Sequence, residues 1–213
     1  MLYAAYILLG LFSVLNLISV TCDKKKLEFI SKPLLIPLII VIYCLSVKEF
    51  DYVVIAGLFF GWLGDVFLLF DKESCFKGGL ISFLIGHIFY VAAFLGETKF
   101  SDISFIITVL IAGVYIIYIF AVSKKLIPSV DTKFKGAVIA YITVIMLMSM
   151  TALLRFETVG INGVLSYTGS LFFVASDSIL AFKVFAKKRG KMINFLIMFT
   201  YITAQFMIAF GMI

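Results

Sequence analysis

Two aspartates stand inside stretches that are otherwise almost wholly apolar: Asp65 in GLFFGWLGDVFLLF (57–70) and Asp177 in GSLFFVASDSILAF (169–182). The other ten of the twelve acidic residues fall in polar connections or at the ends of apolar runs. A charge at mid-membrane costs about 2.5–3.5 kcal/mol even on a lenient insertion scale, so such residues mark a pathway or a site. The competing reading is structural: a protonated aspartic acid acts only as an interhelical hydrogen-bond donor. Two carboxylates brought close share a proton unequally, so that one is an acid while its neighbour is an anion.

His87 is the one histidine in the chain. It can orient a carboxylate, relay a proton or contact a substrate; the alternative is an ordinary interhelical hydrogen bond. Lys32, at the edge of an apolar run, can bind a phosphate or simply extend its ammonium to the interface. Ser166, Ser170 and Phe173 precede Asp177 by eleven, seven and four residues, which on a helix makes a partly polar stripe on its face. Gly57 and Gly61 fall near the face of Asp65 and permit close approach of another helix. Asn16 and Gln205 read as polar groups that glue helices together.

Several chemistries are excluded. One histidine cannot make a three-histidine zinc site, and no H-E-x-x-H, G-x-S-x-G or P-loop pattern occurs. Cys22, Cys44 and Cys75 have neither metal-ligand spacing nor a disulfide pattern. Ser82, His87 and Asp65 contain the types of a serine triad, but nothing in their spacing recommends one.

The elements that carry these residues must be membrane helices. Of 213 residues 63% are hydrophobic and 14% charged, and the mean hydropathy is +1.18; a soluble domain has roughly 25% charged residues. A span needs roughly 20 apolar residues to cross about 30 Å of hydrocarbon. Eight stretches approach this, near 2–21, 33–47, 52–70, 78–95, 103–122, 136–154, 164–182 and 192–213, which predicts an all-α polytopic bundle forming a single domain over 1–213. The first lacks a basic leader and a small-residue cleavage site, so it reads as a retained helix. The second is the shortest: it opens at Lys32-Pro33, with Leu27, Phe29 and Ile30 extending it along the interface.

The net charge of +6 raises nucleic acid or acidic lipid as partners, but the positions of the charges argue for topology instead. Lys and Arg number 4, 1, 2, 1, 4, 1 and 5 in the seven successive loops. By the positive-inside rule this alternation predicts both termini outside and the odd loops in the cytoplasm, with a bacterial cytoplasmic membrane as the expected location. The two aspartate segments also echo each other, with a glycine eight residues before each aspartate and a small residue just before it. They belong to the third and seventh stretches, as a parallel four-plus-four repeat requires; chance likeness among Phe- and Leu-rich helices is the other reading.

At Ser31-Lys32-Pro33-Leu34, Gly64-Asp65-Val66-Phe67-Leu68, Gly86-His87-Ile88-Phe89-Tyr90 and Ser176-Asp177-Ser178 the chain resembles the lysoplasmalogenase family, the YhhN-like multi-pass membrane proteins. The resemblance implies a hydrolase that releases a fatty aldehyde and glycerophosphocholine or glycerophosphoethanolamine from the vinyl ether bond of a lysophospholipid. It implies Asp65, Asp177 and His87 as catalytic candidates, and Lys32, Ser176, Ser170 and Tyr90 as substrate contacts, with Asp177 leaning towards the stabiliser or base. No metal, nucleotide or other cofactor is needed for that reaction. A proton-coupled transporter is the rival reading, since paired intramembrane carboxylates also serve proton relays.

Overall fold

The computed structural model describes residues 1–187 and 190–213, with all side chains among them except those of Asp102, Ile107 and Glu157. The described residues form eight α-helices: α1 (Leu2–Thr21), α2 (Lys25–Ser46), α3 (Tyr52–Phe67), α4 (Glu73–Glu97), α5 (Phe105–Leu126), α6 (Lys135–Val159), α7 (Ile161–Phe185) and α8 (Lys191–Phe210). Seven are long and apolar enough to cross a membrane, α3 being the shorter one. No strand occurs among the described residues. Of the basic loop between α7 and α8, Lys188 and Arg189 lie outside the described residues.

The helices pack as α1 on α2, α3 on α4 and α7 on α8, with α6 between α4 and α7; α5 leans mainly on α6. Large apolar side chains such as Ile7, Leu11, Leu110 and Ile117 face outwards, as they must where lipid is the solvent. The chain is therefore an integral multi-pass membrane protein.

Two helices differ from expectation in ways that matter for the site. The helix expected over 33–47 begins at Lys25, so Lys32 sits two turns inside it and not at its edge. Pro33 and Pro37 are both interior. Pro37 has no N–H to give the carbonyl four residues earlier, and Trp62 Nε1 donates to that Pro33 carbonyl oxygen instead, at 2.9 Å. The lost helical bond is thus replaced by one that ties α3 to α2. The short helix is α3, with 16 residues. Asp51 starts it by accepting from the Val53 and Val54 amides at 2.7 and 3.4 Å, as an N-cap does. It stops two residues after Asp65, where Leu68, Leu69 and Phe70 line a cavity; free helix-end carbonyls are tolerated at membrane depth where they meet such a space.

The far ends hold a third difference. Arg155, expected in a loop, lies within α6 and is buried. Its Nε and Nη2 donate to Glu97 Oε2 at 2.9 and 2.6 Å, and its Nη1 donates to Ser166 Oγ at 2.6 Å. α4, α6 and α7 are joined there, at the end away from the aspartates.

The echo between the aspartate segments has a packing counterpart. A Cβ on Gly57 would lie 2.7 Å from the Tyr90 ring of α4, and one on Gly169 would lie 2.9 Å from the Ile208 nitrogen of α8. In each half, the glycine lets the following helix close on the helix that carries the aspartate.

Candidate functional site

α2, α3, α7 and α8 frame a polar cavity near the ends of the first, third and fifth loops, with about 2050 Å³ of empty space including its open mouth. Lys32, Asp65, Ser176 and Asp177 line it. Four residues singled out in the sequence are thus gathered around one space.

Asp65 is held entirely by donors. Lys32 Nζ lies 3.5 Å from its Oδ1, with the two side chains only 7% and 3% exposed. Tyr201 of α8 donates to Oδ2 at 2.7 Å. Behind it, Gln205 Nε2 donates to the Tyr201 hydroxyl at 3.2 Å, and Tyr90 donates to Gln205 Oε1 at 2.6 Å. Every donor in this chain points towards the carboxylate, so each bond polarises the next. Lys32 is placed by its helix, which Asn16 of α1 braces through a 3.1 Å bond to Ser31.

Asp177 is held differently. Tyr141 of α6 donates to its Oδ2, and His87 Nε2 of α4 lies 3.4 Å from the same oxygen and 3.1 Å from the Tyr141 hydroxyl. His87 Nδ1 is buried without a partner among the described residues. A protonated Nδ1 would leave a donor unsatisfied, which is costlier than an idle lone pair. Of the two neutral tautomers, the one with its proton on Nε2, facing Asp177 and Tyr141, leaves no donor unsatisfied. Phe173 stands edge-on to both His87 and Tyr201, at 4.6 and 5.5 Å between ring centres. It makes an apolar partition between the two tyrosine–carboxylate assemblies.

The remaining sequence candidates fall elsewhere. Ser176 lines the cavity while its Oγ donates to the Ile197 carbonyl at 3.0 Å. Ser170 bonds Ser149 at 3.0 Å and the Tyr167 carbonyl at 2.7 Å, and it does not line the cavity. Tyr90 is buried behind Gln205 and is likewise absent from the lining. Tyr141 and Tyr201 are the functional candidates that sequence reasoning missed, since a tyrosine in an apolar helix carries no distinguishing signal.

At the mouth, charges of both signs meet. Lys25 pairs with Asp71, while Glu73 accepts from Lys77 at 2.9 Å and Lys133 at 3.1 Å. The hydrogen bond and charge of Lys25 hold the Asp71 carboxyl below its usual range. Lys77 and Lys133 both stand over the Phe134 ring at 5.2 Å. A rim of this kind can meet a phosphate and an ammonium at once. The cysteines are free, and no cluster able to hold a metal ion occurs among the described residues.

The sequence pattern of the YhhN family matches residues 27–212. Two mammalian proteins named lysoplasmalogenase TMEM86A, from Bos taurus and Homo sapiens, are each 27% identical to the chain over 160 residues. The match covers 73% of this chain and 63% of each relative, so it spans less than two thirds of their length. No solved structure matches.

Proposed function

The chain belongs to the YhhN family, and from that premise we propose that it hydrolyses the vinyl ether bond of lysoplasmalogens, releasing a fatty aldehyde and glycerophosphocholine or glycerophosphoethanolamine. The observation that carries the reading is that the two intramembrane carboxylates, Asp65 and Asp177, line one cavity. The names of the mammalian relatives supply the substrate class.

A vinyl ether is cleaved by protonation of its β-carbon, which leaves an oxocarbenium ion at the adjacent carbon. Water adds to that carbon and gives up a proton to a carboxylate. The resulting hemiacetal then collapses to an aldehyde and an alcohol, so the net change is the addition of one water. The steps require an acid, an anion beside the cation, and a base for the water. Asp65, the carboxylate ion-paired to Lys32, is the anion. The acid is then Asp177, with Tyr141 and His87 fixing its orientation. This reverses the leaning drawn from the sequence, and the reason is the depth of Lys32. The rim of Lys25, Asp71, Glu73 and Lys133 receives the zwitterionic headgroup, on the cytoplasmic side by the distribution of basic loops.

Hydrolysis is favoured over proton-coupled transport by the joined far ends of α4, α6 and α7, where Arg155 binds Glu97 and Ser166. The test is aldehyde release by the purified protein from a lysoplasmalogen, with one glycerophospho-headgroup appearing per aldehyde. Absence of aldehyde overturns the proposal.

A further inference from the structure

Beside the polar cavity runs a second hollow, almost wholly apolar, enclosed mainly by α4, α5, α6 and α7. Its empty space is about 760 Å³, open side included. Tyr118, Val122 and Leu126 of α5 form one wall, and Ile142 and Met146 of α6 form another. Asp177 is the carboxylate that both hollows touch; Asp65 borders only the polar one. Phe76, Phe83 and Leu180 are also common to both, so the two spaces adjoin at Asp177.

We propose that the apolar hollow holds the hydrocarbon chain of a single-chain phospholipid whose headgroup occupies the polar cavity. The atoms joining chain to headgroup then lie against Asp177. The inference rests on the lysophospholipid reading above and adds where each part of the molecule sits. Its physical content is orientation more than affinity. The bilayer is as apolar as the hollow, so moving a chain from one to the other gains little. Fixing the depth and direction of that chain, however, brings one bond to one carboxyl group, and this is the contribution of a positioned reactant. α5 suits a side entrance, since it leans mainly on α6 and turns most of its apolar surface outwards.

The experiment uses a lysophosphatidylethanolamine whose saturated acyl chain ends in a diazirine. This probe binds without needing to be cleaved. The full-length protein in lipid nanodiscs is irradiated with and without excess unlabelled lysophosphatidylethanolamine, and the labelled residues are mapped by mass spectrometry. Labelling of Tyr118, Ile142 or Met146 should fall severalfold with competitor, while outward residues such as Ile7 and Leu11 are labelled equally in both samples. Competitor-sensitive labelling that avoids the hollow, or none at all, overturns the proposal. Ala181→Phe narrows the hollow from α7 and should raise KM severalfold for long-chain substrates while sparing short-chain ones; an equal effect on both also overturns it. A protein that releases no aldehyde yet shows the competed labelling would sink the vinyl ether reading and leave the chain site standing.

Discussion

Lys32 and Asp65 form an ion pair across α2 and α3, Nζ to Oδ1 at 3.5 Å, with both side chains buried. Removing one partner of a buried pair leaves an uncompensated charge and costs about 3–5 kcal/mol, whereas removing both together costs far less. Lys32→Met should therefore lower thermal stability in detergent and also turnover. The double variant Lys32→Met with Asp65→Leu should regain most of the stability and none of the activity. If Lys32→Met unfolded at the same temperature as the unaltered protein, the pair would have no structural weight.

The carboxylates themselves are tested by asparagine, which keeps the size and much of the hydrogen bonding but has neither an acidic proton nor a negative charge. Positioned acid–base catalysis contributes about 10²- to 10⁴-fold, so Asp65→Asn and Asp177→Asn should each lower turnover by about that factor. Groups that act as one unit are not additive. The double variant should be little worse than the poorer single one, as single-turnover assays on folded protein will show. Near-normal aldehyde release by either folded single variant would refute the two-carboxylate mechanism.

What the sequence made legible follows from the cost of charge in lipid. Asp65 and Asp177 stand out because little else in their segments is polar, and the basic loops alternate strongly enough to count eight helices. Lys32 misled because three lysines just before it, Lys24, Lys25 and Lys26, read as a loop; the helix begins among them. Pro33 and Pro37 both lie inside α2, and a tryptophan from the next helix replaces the bond that Pro37 cannot make. Their spacing of four residues was the usable signal, since it leaves one proline's carbonyl without its donor. Tyr141 and Tyr201 were hidden for a different reason: tyrosine is ordinary in apolar helices, and only tertiary packing aims these two at carboxylates.

Tyr141→Phe removes the donor to Asp177 while keeping the ring that stacks edge-on to His87. A hydrogen bond to a neutral acid is worth about 0.5–1.5 kcal/mol, so kcat should fall about 2- to 10-fold with KM little changed. His87→Ala should be milder if the imidazole only orients its partners. A larger loss for His87→Ala than for Asp177→Asn would make the histidine the principal acid–base group.

Topology is testable without any assay of activity. In the stretches read from the sequence, fifteen of the eighteen basic residues fall in or beside the four odd connections, which predicts both termini outside. A reporter fused after Ile213 should show a non-cytoplasmic C-terminus. A cytoplasmic one would reverse the orientation proposed for the cavity mouth.

The far-end cluster gives a prediction whose direction is counter to charge symmetry. Arg155 is 3% exposed at its side chain, but its partner Glu97 is 40% exposed. Glu97→Gln keeps an acceptor but removes the negative charge opposite the buried guanidinium, a loss approaching the roughly 3–5 kcal/mol of other broken buried pairs. Arg155→Met leaves Glu97 free to turn towards water, and methionine refills the apolar space. The cost should then resemble that of an exposed pair, about 1 kcal/mol or less. Combining the two changes should cost little more than Arg155→Met alone, because the guanidinium that Glu97 served is gone. Thermal unfolding of the three variants in one detergent measures the order directly. Arg155→Met should also leave aldehyde release by the folded protein unaltered, since the cluster joins helix ends remote from Asp65 and Asp177. A greater loss of stability for Arg155→Met than for Glu97→Gln would mean that Ser166 and the surrounding backbone depend on the arginine more than the arginine depends on Glu97.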